Sequence, residues 1–261
     1  MTAVGSARRA RWRYGLDLVV HLVEREFRLR YRRAFLGWIW AVAQPLARLL
    51  VLSFVFTRVL PLGIDNYPVF LFTGLIAWGW FSSGVASVTS CVLDRRDLLF
   101  RPGLPRVVIP VVSALTDGLD YLAALPVLAL FLVLGNGIPL TAVLLPVVLG
   151  VELLLILGVG FILCSAHVHL RDVRLMTEVS LLLGFYVTPV FYDLQSVPQP
   201  YRSLLELNPL THLLEAHRAL LVDGRLPDWS ALGVVTLGAA LLFASGLLLY
   251  RKMSPSFLDE L

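Results

Sequence analysis

Six apolar stretches limit what this chain can fold into. They cover residues 35–60, 68–93, 107–134, 140–166, 175–192 and 229–250. All but the fifth reach the roughly 20 residues that a helix needs to cross a bilayer. Backbone groups in lipid must be satisfied within the segment, so the spans are helices; the roughly ten-residue alternating strands of a membrane barrel are absent. Charged residues make up 15% of the 261 and apolar and aromatic ones 58%, where a soluble domain carries about 25% charged. This excludes a disordered chain, a disulfide scaffold and an ordinary soluble enzyme. The expected fold is an all-α integral membrane protein: six transmembrane helices, an N-terminal amphipathic interface helix, and two short re-entrant or interfacial helices between spans five and six. Its parts are a cytoplasmic N-terminus (1–33), a transmembrane domain (34–253) and a short tail (254–261).

The net charge of +4 is set by position along the chain, so no nucleic-acid partner is implied. Seventeen of the 22 basic residues fall at the two termini and in the loops 94–106 and 167–178; four fall in the opposite loops, and Arg48 lies inside a span. The positive-inside rule then places both termini in the cytoplasm. Residues 13–33 form one apolar face from Leu16, Val19, Val20, Val23, Phe27 and Tyr31, the pattern of a basic helix in the membrane interface. Between spans five and six, Asn208-Pro209 reads as a helix start, with an asparagine cap and proline at the first helical position. Leu210, Leu213, Leu214, Leu220 and Leu221 follow as its apolar face, and Gly224 can end it. A shorter apolar piece, 201–207, precedes it.

Several chemistries are missing from the sequence. The only lysine, Lys252, follows Arg251, so there is no GxxxxGK[ST] loop to cradle phosphate. No GxSxG elbow or HExxH pair occurs, and the histidine spacings do not place two imidazoles on one helix face. No metal or cofactor is expected in this chain. Cys91 and Cys164 sit near the ends of spans and imply no disulfide framework.

Away from the span ends, four charges need an explanation: Arg48, Asp117, Asp120 and Glu152. Intramembrane charge is costly and faces the bundle interior or a wet cavity. At about 1.5 Å per residue, Arg48 and the two aspartates lie at matching depths, so Arg48 is expected to pair with Asp117 or Asp120. Such charges serve either as structural ion pairs or as a polar lining for a hydrophilic substrate. Aromatics are interface anchors by default; Phe70, Phe72, Tyr186, Phe191 and Tyr192 are also candidates to line a path on which sugar rings stack.

The stretch YRRAFLGWIWAVAQPL (31–46) resembles the entry to the first span in permeases of type-2 ABC exporters. The branch is the one that exports polysaccharide: O-antigen of lipopolysaccharide, capsule, teichoic acid or galactan precursors. The resemblance continues through NYPVFLFTGLIAWGWF (66–81), the turn at 94–98, the start of the third span at 105–110, HLRDVR (169–174) and Asn208-Pro209-Leu210 with its helix, covering about residues 28–252. The loop RPGLP (101–105) departs from the family's usual Phe-Pro pattern.

The resemblance implies a channel-forming subunit of an ATP-driven exporter in a bacterial inner (plasma) membrane. It would act as a homodimer with two copies of a separate ATPase, which would hold ATP and Mg, and its substrate would be a lipid-linked glycan. Candidate ATPase-coupling residues are Arg25, Arg28, Asp94, Arg95, Arg96, Asp97, Leu98, Arg171, Asp172 and Arg174. Arg28, Arg30, Arg32 and Arg33 are candidates for lipid headgroups, where guanidinium groups hold phosphate by charge-assisted hydrogen bonds. Two other readings stay open: a type-2 exporter of a drug or simple lipid, and a membrane enzyme acting on polyprenyl-linked sugars.

Overall fold

The computed structural model describes residues 17–30, 32, 37–100, 104–135 and 137–258. Among these there is no strand. Helix α1 covers 17–30. Then follow α2 (Ile39–Phe54), prolonged by a π-helical turn (Val55–Val59), α3 (Tyr67–Asp94), the short α4 (Arg96–Leu99) and α5 (Val108–Leu134). A 3₁₀ turn (Leu140–Leu144) leads into α6 (Leu145–His169), and α7 (Val173–Val187), α8 (Gln199–Glu206), α9 (Pro209–Leu221) and α10 (Trp229–Met253) complete the chain. Five helical stretches are long and apolar enough to cross a membrane: Ile39–Val59, Tyr67–Asp94, Val108–Leu134, Leu140–His169 and Trp229–Phe257. The chain is a multi-pass membrane protein.

The fifth expected span, 175–192, differs. Helix α7 has 15 residues, about 22 Å, and falls short of the ~30 Å hydrocarbon core. Proline disfavours helical geometry in the residue before it. Thr188, preceding Pro189, is extended at φ −84°, ψ 137°, so the helix stops at Val187.

Helix α3 is the hub. In its most apolar window 78% of residues are buried, against 11% in α2, so α2 lies at the edge of the bundle. Helix α10 packs closely on α6 because glycines meet there: a Cβ on Gly246 would lie 2.6 Å from the Gly158 carbonyl oxygen. Small residues that let backbones approach are the usual contact between helices in lipid, where apolar burial alone gives little drive. At one end of the bundle the Tyr250 hydroxyl donates to the Arg106 carbonyl at 3.1 Å, and the Arg106 guanidinium donates to the Ser254 carbonyl. This ties the end of α10 to the start of α5. Nearby, Cys91 and Cys164 meet as buried free thiols, 3.8 Å apart.

The other end is capped by the segment 188–228. Asn208 accepts from the Leu210 amide at 3.0 Å and Pro209 opens α9, as the sequence predicts. Gly224, with φ +65°, takes the left-handed turn after the helix. Helix α9 is sunk into the bundle: Leu213, Leu214, Ala216, His217, Ala219, Leu220 and Leu221 are all buried. Helix α1 also turns inward. Val19, Val20, Val23 and Phe27 line a cavity of about 800 Å³ together with Trp80, Leu119, Leu122, Leu149 and Leu153. The apolar face expected to lie in the membrane interface lines this cavity with α5 and α6.

Candidate functional site: a polar crevice between α2, α3 and α7

Two adjoining cavities open between α2, α3 and α7. One, of about 360 Å³, is lined by Gln44, Arg48, Gly79, Ser82, Ser83, Asp120 and Glu178. The other, of about 710 Å³, is lined by Arg48, Val51, Trp78, Ser82, Phe185 and Tyr186. Arg48, Ser82, Glu178 and Leu181 line both, so the two form one continuous crevice. Its position follows from the helices: α2 packs loosely at the edge and α7 is short, so α3 exposes a strip of small residues between them. Gly79 leaves the wall open, and the Ser82 and Ser83 hydroxyls donate to the Gly79 carbonyl at 3.2 and 2.8 Å.

The charge pairing differs from the sequence expectation. Asp117 and Asp120 pair with Arg30 at 2.8 and 2.7 Å, and the Ser87 hydroxyl also donates to Asp117. Depth along the bilayer matched Arg48 to the aspartates, and Asp120 does line a cavity with Arg48, but the ion pairs go to Arg30. α5 presents both carboxylates to the arginine that ends α1, whereas α2 turns Arg48 into the crevice. Among the described residues Arg48 makes no ion pair. Glu178 is paired with Arg174 at 3.0 Å, and Glu152 lies against His217, away from the crevice.

The aromatic candidates divide. Tyr186 is 60% exposed and lines the crevice. Phe191 and Tyr192 are half-buried in a run of rings: Phe56–Phe191 at 5.4 Å, Phe185–Phe191 at 5.7 Å and Phe191–Tyr192 at 5.1 Å. Phe70 and Phe72 are not among the residues that line the crevice. Phe72 is fully buried against Phe131, on the side of α3 that faces α5. Phe70 is covered by Arg218, whose guanidinium sits 3.6 Å from the ring centroid.

Arg218 fixes the bend that follows α7. It donates to the Val190 carbonyl at 2.7 Å, the Tyr67 hydroxyl donates to the Phe191 carbonyl at 2.8 Å, and Asn208 Nδ2 donates to the Thr188 hydroxyl at 2.9 Å. The bend 188–191 is thus pinned between α3 and α9. Gly74 makes room for it: a Cβ there would lie 2.7 Å from the Val190 oxygen and 2.9 Å from the Arg218 guanidinium. Irregular backbone at membrane depth is tolerated where protein buries it and satisfies its polar groups.

The family model for the ABC-2 type transporter matches residues 17–222. The chain belongs to the ABC-2 type transporter family. It is 37% identical to the O-antigen export system permease protein RfbA of Myxococcus xanthus, over 85% of this chain and 89% of that protein. The protein of the same name from Klebsiella pneumoniae is 28% identical, over 95% and 96%. The polysialic acid transport protein KpsM of Escherichia coli is 30% identical, over 90% and 93%.

In this ABC-2 chain the remaining candidates gather at the end that carries both described termini. Asp94, Arg96, Asp97, Arg171, Asp172 and Arg174 are exposed there, as are Arg25, Arg28 and Arg32. Arg95 is partly covered, since it reaches Glu26 at 3.3 Å and donates to the Ser113 hydroxyl; it joins α1 to the start of α5. Leu98 is buried and anchors α4, so its side chain offers no outward contact. Arg28 is paired with Glu24, Arg30 is taken by the aspartates, and Arg33 lies outside the described residues.

Sequence reasoning missed Gln44, Ser82 and Glu178 as crevice residues and Arg218 as the lock. Arg218 carried a signal: with His217 it falls within the apolar stripe of α9.

Proposed function

We propose that the chain is the channel-forming subunit of an ATP-driven exporter that moves a lipid-linked polysaccharide across the cell membrane. The observation that carries this reading is the continuous crevice through Arg48. It puts hydrogen-bonding side chains and aromatic faces side by side at membrane depth, in a family member whose relatives are named for O-antigen export and polysialic acid transport. A glycan needs both. Gln44, Arg48, Ser82 and Glu178 replace water at sugar hydroxyls, and Trp78, Phe185 and Tyr186 offer ring faces to sugar C–H groups.

The crevice is open on one side. In this reading a second copy faces it, so a homodimer encloses the path between two sets of α2, α3 and α7. The lopsided basic residues put both termini in the cytoplasm. ATP would be hydrolysed by two copies of a separate ATPase docked there, on Asp94, Arg96, Asp97, Arg171, Asp172 and Arg174. Arg95 would pass their movement to α1 and α5 through Glu26 and Ser113. Arg28 and Arg32, exposed beside α1, would receive the phosphates of lipid headgroups, the substrate's own included.

Co-expression with the ATPase encoded beside it tests this. A two-plus-two complex whose ATP turnover responds to lipid-linked glycan is the expected result. A chain that purifies without an ATPase and turns over a polyprenyl sugar by itself would contradict it.

A further inference from the structure

One buried polar cluster takes no part in the crevice. Glu152 on α6 and His217 on α9 are 2% and 0% exposed, with Glu152 Oε2 3.4 Å from His217 Nε2. Neither atom has a hydrogen-bond partner. His217 Nδ1 lies 2.9 Å from the Leu213 carbonyl oxygen. A carbonyl can only accept, so Nδ1 carries a hydrogen, and Nε2 of the neutral ring presents a bare lone pair. A carboxylate oxygen facing that lone pair at 3.4 Å puts two acceptors against each other in a buried site. A single proton, held on either atom, turns the contact into a donor and an acceptor.

We propose that Glu152 and His217 form a proton-binding site that seats α9 on α6. The site is independent of the transport reading. Among the described residues around it, all but Tyr121 are apolar or already engaged. From α3 it meets Ala77, Trp78 and Phe81, none of which titrates. From α5 it meets Tyr121, whose ring lies edge-on to the imidazole at 6.0 Å and whose hydroxyl is buried without a partner. Asp117 and Asp120, also on α5, are held by Arg30. On α9 itself Arg218 is engaged by Phe70 and Val190. The apolar run of α10 carries no ionisable group between residues 229 and 249. The adjoining space, lined by both residues, is about 10 Å³, the volume of one water. The space admits no ligand larger than that, and a proton held on either atom needs none.

When α9 lifts away, the freed carboxyl and imidazole titrate near about 4.3 and 6.5. Above pH 6.5 the lifted form binds no proton and the seated form binds one. Raising the pH therefore favours lifting by up to tenfold per unit. Between about pH 4.3 and 6.5 both forms hold one proton and the balance is flat.

Hydrogen exchange of the 209–221 amides reads this directly. The full chain in lipid nanodiscs is followed from pH 6.5 to 8.5, with rates corrected for intrinsic base catalysis. The wild type should lose protection by up to tenfold per pH unit. Glu152→Gln should show a flat profile, because its amide donates to Nε2 without titrating. The double variant Glu152→Leu/His217→Leu, which replaces the pair by apolar groups, should also be flat, and it carries the test if Glu152→Gln does not fold. A flat wild-type profile, or the wild-type slope persisting in the variants, overturns the proposal.

Discussion

At the scale of single residues, Arg30 and Arg48 have different tasks. Arg30 neutralises Asp117, which is 2% exposed, and Asp120. Removing one side of a buried pair strands the other charge and costs about 3–5 kcal/mol. The double change Asp117→Asn/Asp120→Asn should therefore lower thermal stability by an amount near the bottom of that range, about 3 kcal/mol, because Arg30 keeps some access to water. Among the described residues Arg48 has no ion pair to lose. Arg48→Gln should leave stability within about 0.5 kcal/mol while export by the complex falls; equal losses of stability for both would put Arg48 in the scaffold. Gly74 is the most sensitive backbone position in the cap. Gly74→Ala drives a methyl group into the Val190 oxygen and the Arg218 guanidinium, so it should destabilise the chain by about 1–3 kcal/mol, as overpacking does. The same change at Gly79, where a Cβ meets nothing within 4 Å, should be tolerated, and a melting series on the two variants checks both. Residue-scale pairing was the least legible part of the sequence. Depth along a helix follows from counting, which matched Arg48 to Asp117 and Asp120, but rotation about each helix axis is set by packing and decided for Arg30.

Helix boundaries were more legible, wherever a cap or a proline marks them. Asn208-Pro209 opens α9 as its chemistry requires, and Asp228 opens α10 by accepting from the Ser230 and Ala231 amides at 2.9 and 3.3 Å. The Ser230 hydroxyl first, and then those two amides, hold the Asp228 carboxyl below its ordinary value. A lowered carboxyl contributes its stability above the unfolded value and loses it as pH falls through the folded one, so this cap weakens only in acid. Asn208→Ala removes both the cap and the bond to Thr188 and should cost about 1–2 kcal/mol. The end of α7 was also written in the sequence, at Thr188-Pro189, but apolar residues continue to Tyr192 and extended the expected span past it. Pro189→Ala removes the restriction on Thr188. It should let α7 lengthen and free the Val190 carbonyl from Arg218, seen as faster proteolysis of the 188–198 segment in a chain that still inserts. Phe72 shows the matching limit: its place in the apolar run is plain, while the side of α3 it occupies depends on α5.

Across the whole molecule, the central claim is that the crevice between α2, α3 and α7 is the path of the transported glycan. The all-helical membrane fold and the capped end follow from runs, charges and caps that the sequence displays, and the family from the resemblance of its motifs. The crevice does not, because it is assembled from three helices with a small-residue strip on one and loose packing on another. Photo-crosslinking during transport tests it most directly. A photoreactive residue is placed at Ser82 in the crevice or at Leu237, which is exposed on α10, in the chain assembled with its ATPase. Labelled glycan and ATP are then supplied. The account predicts glycan adducts at Ser82 that require ATP, and none at Leu237. Adducts at Leu237 as frequent as at Ser82, or none at Ser82 in a complex that still exports, would contradict it.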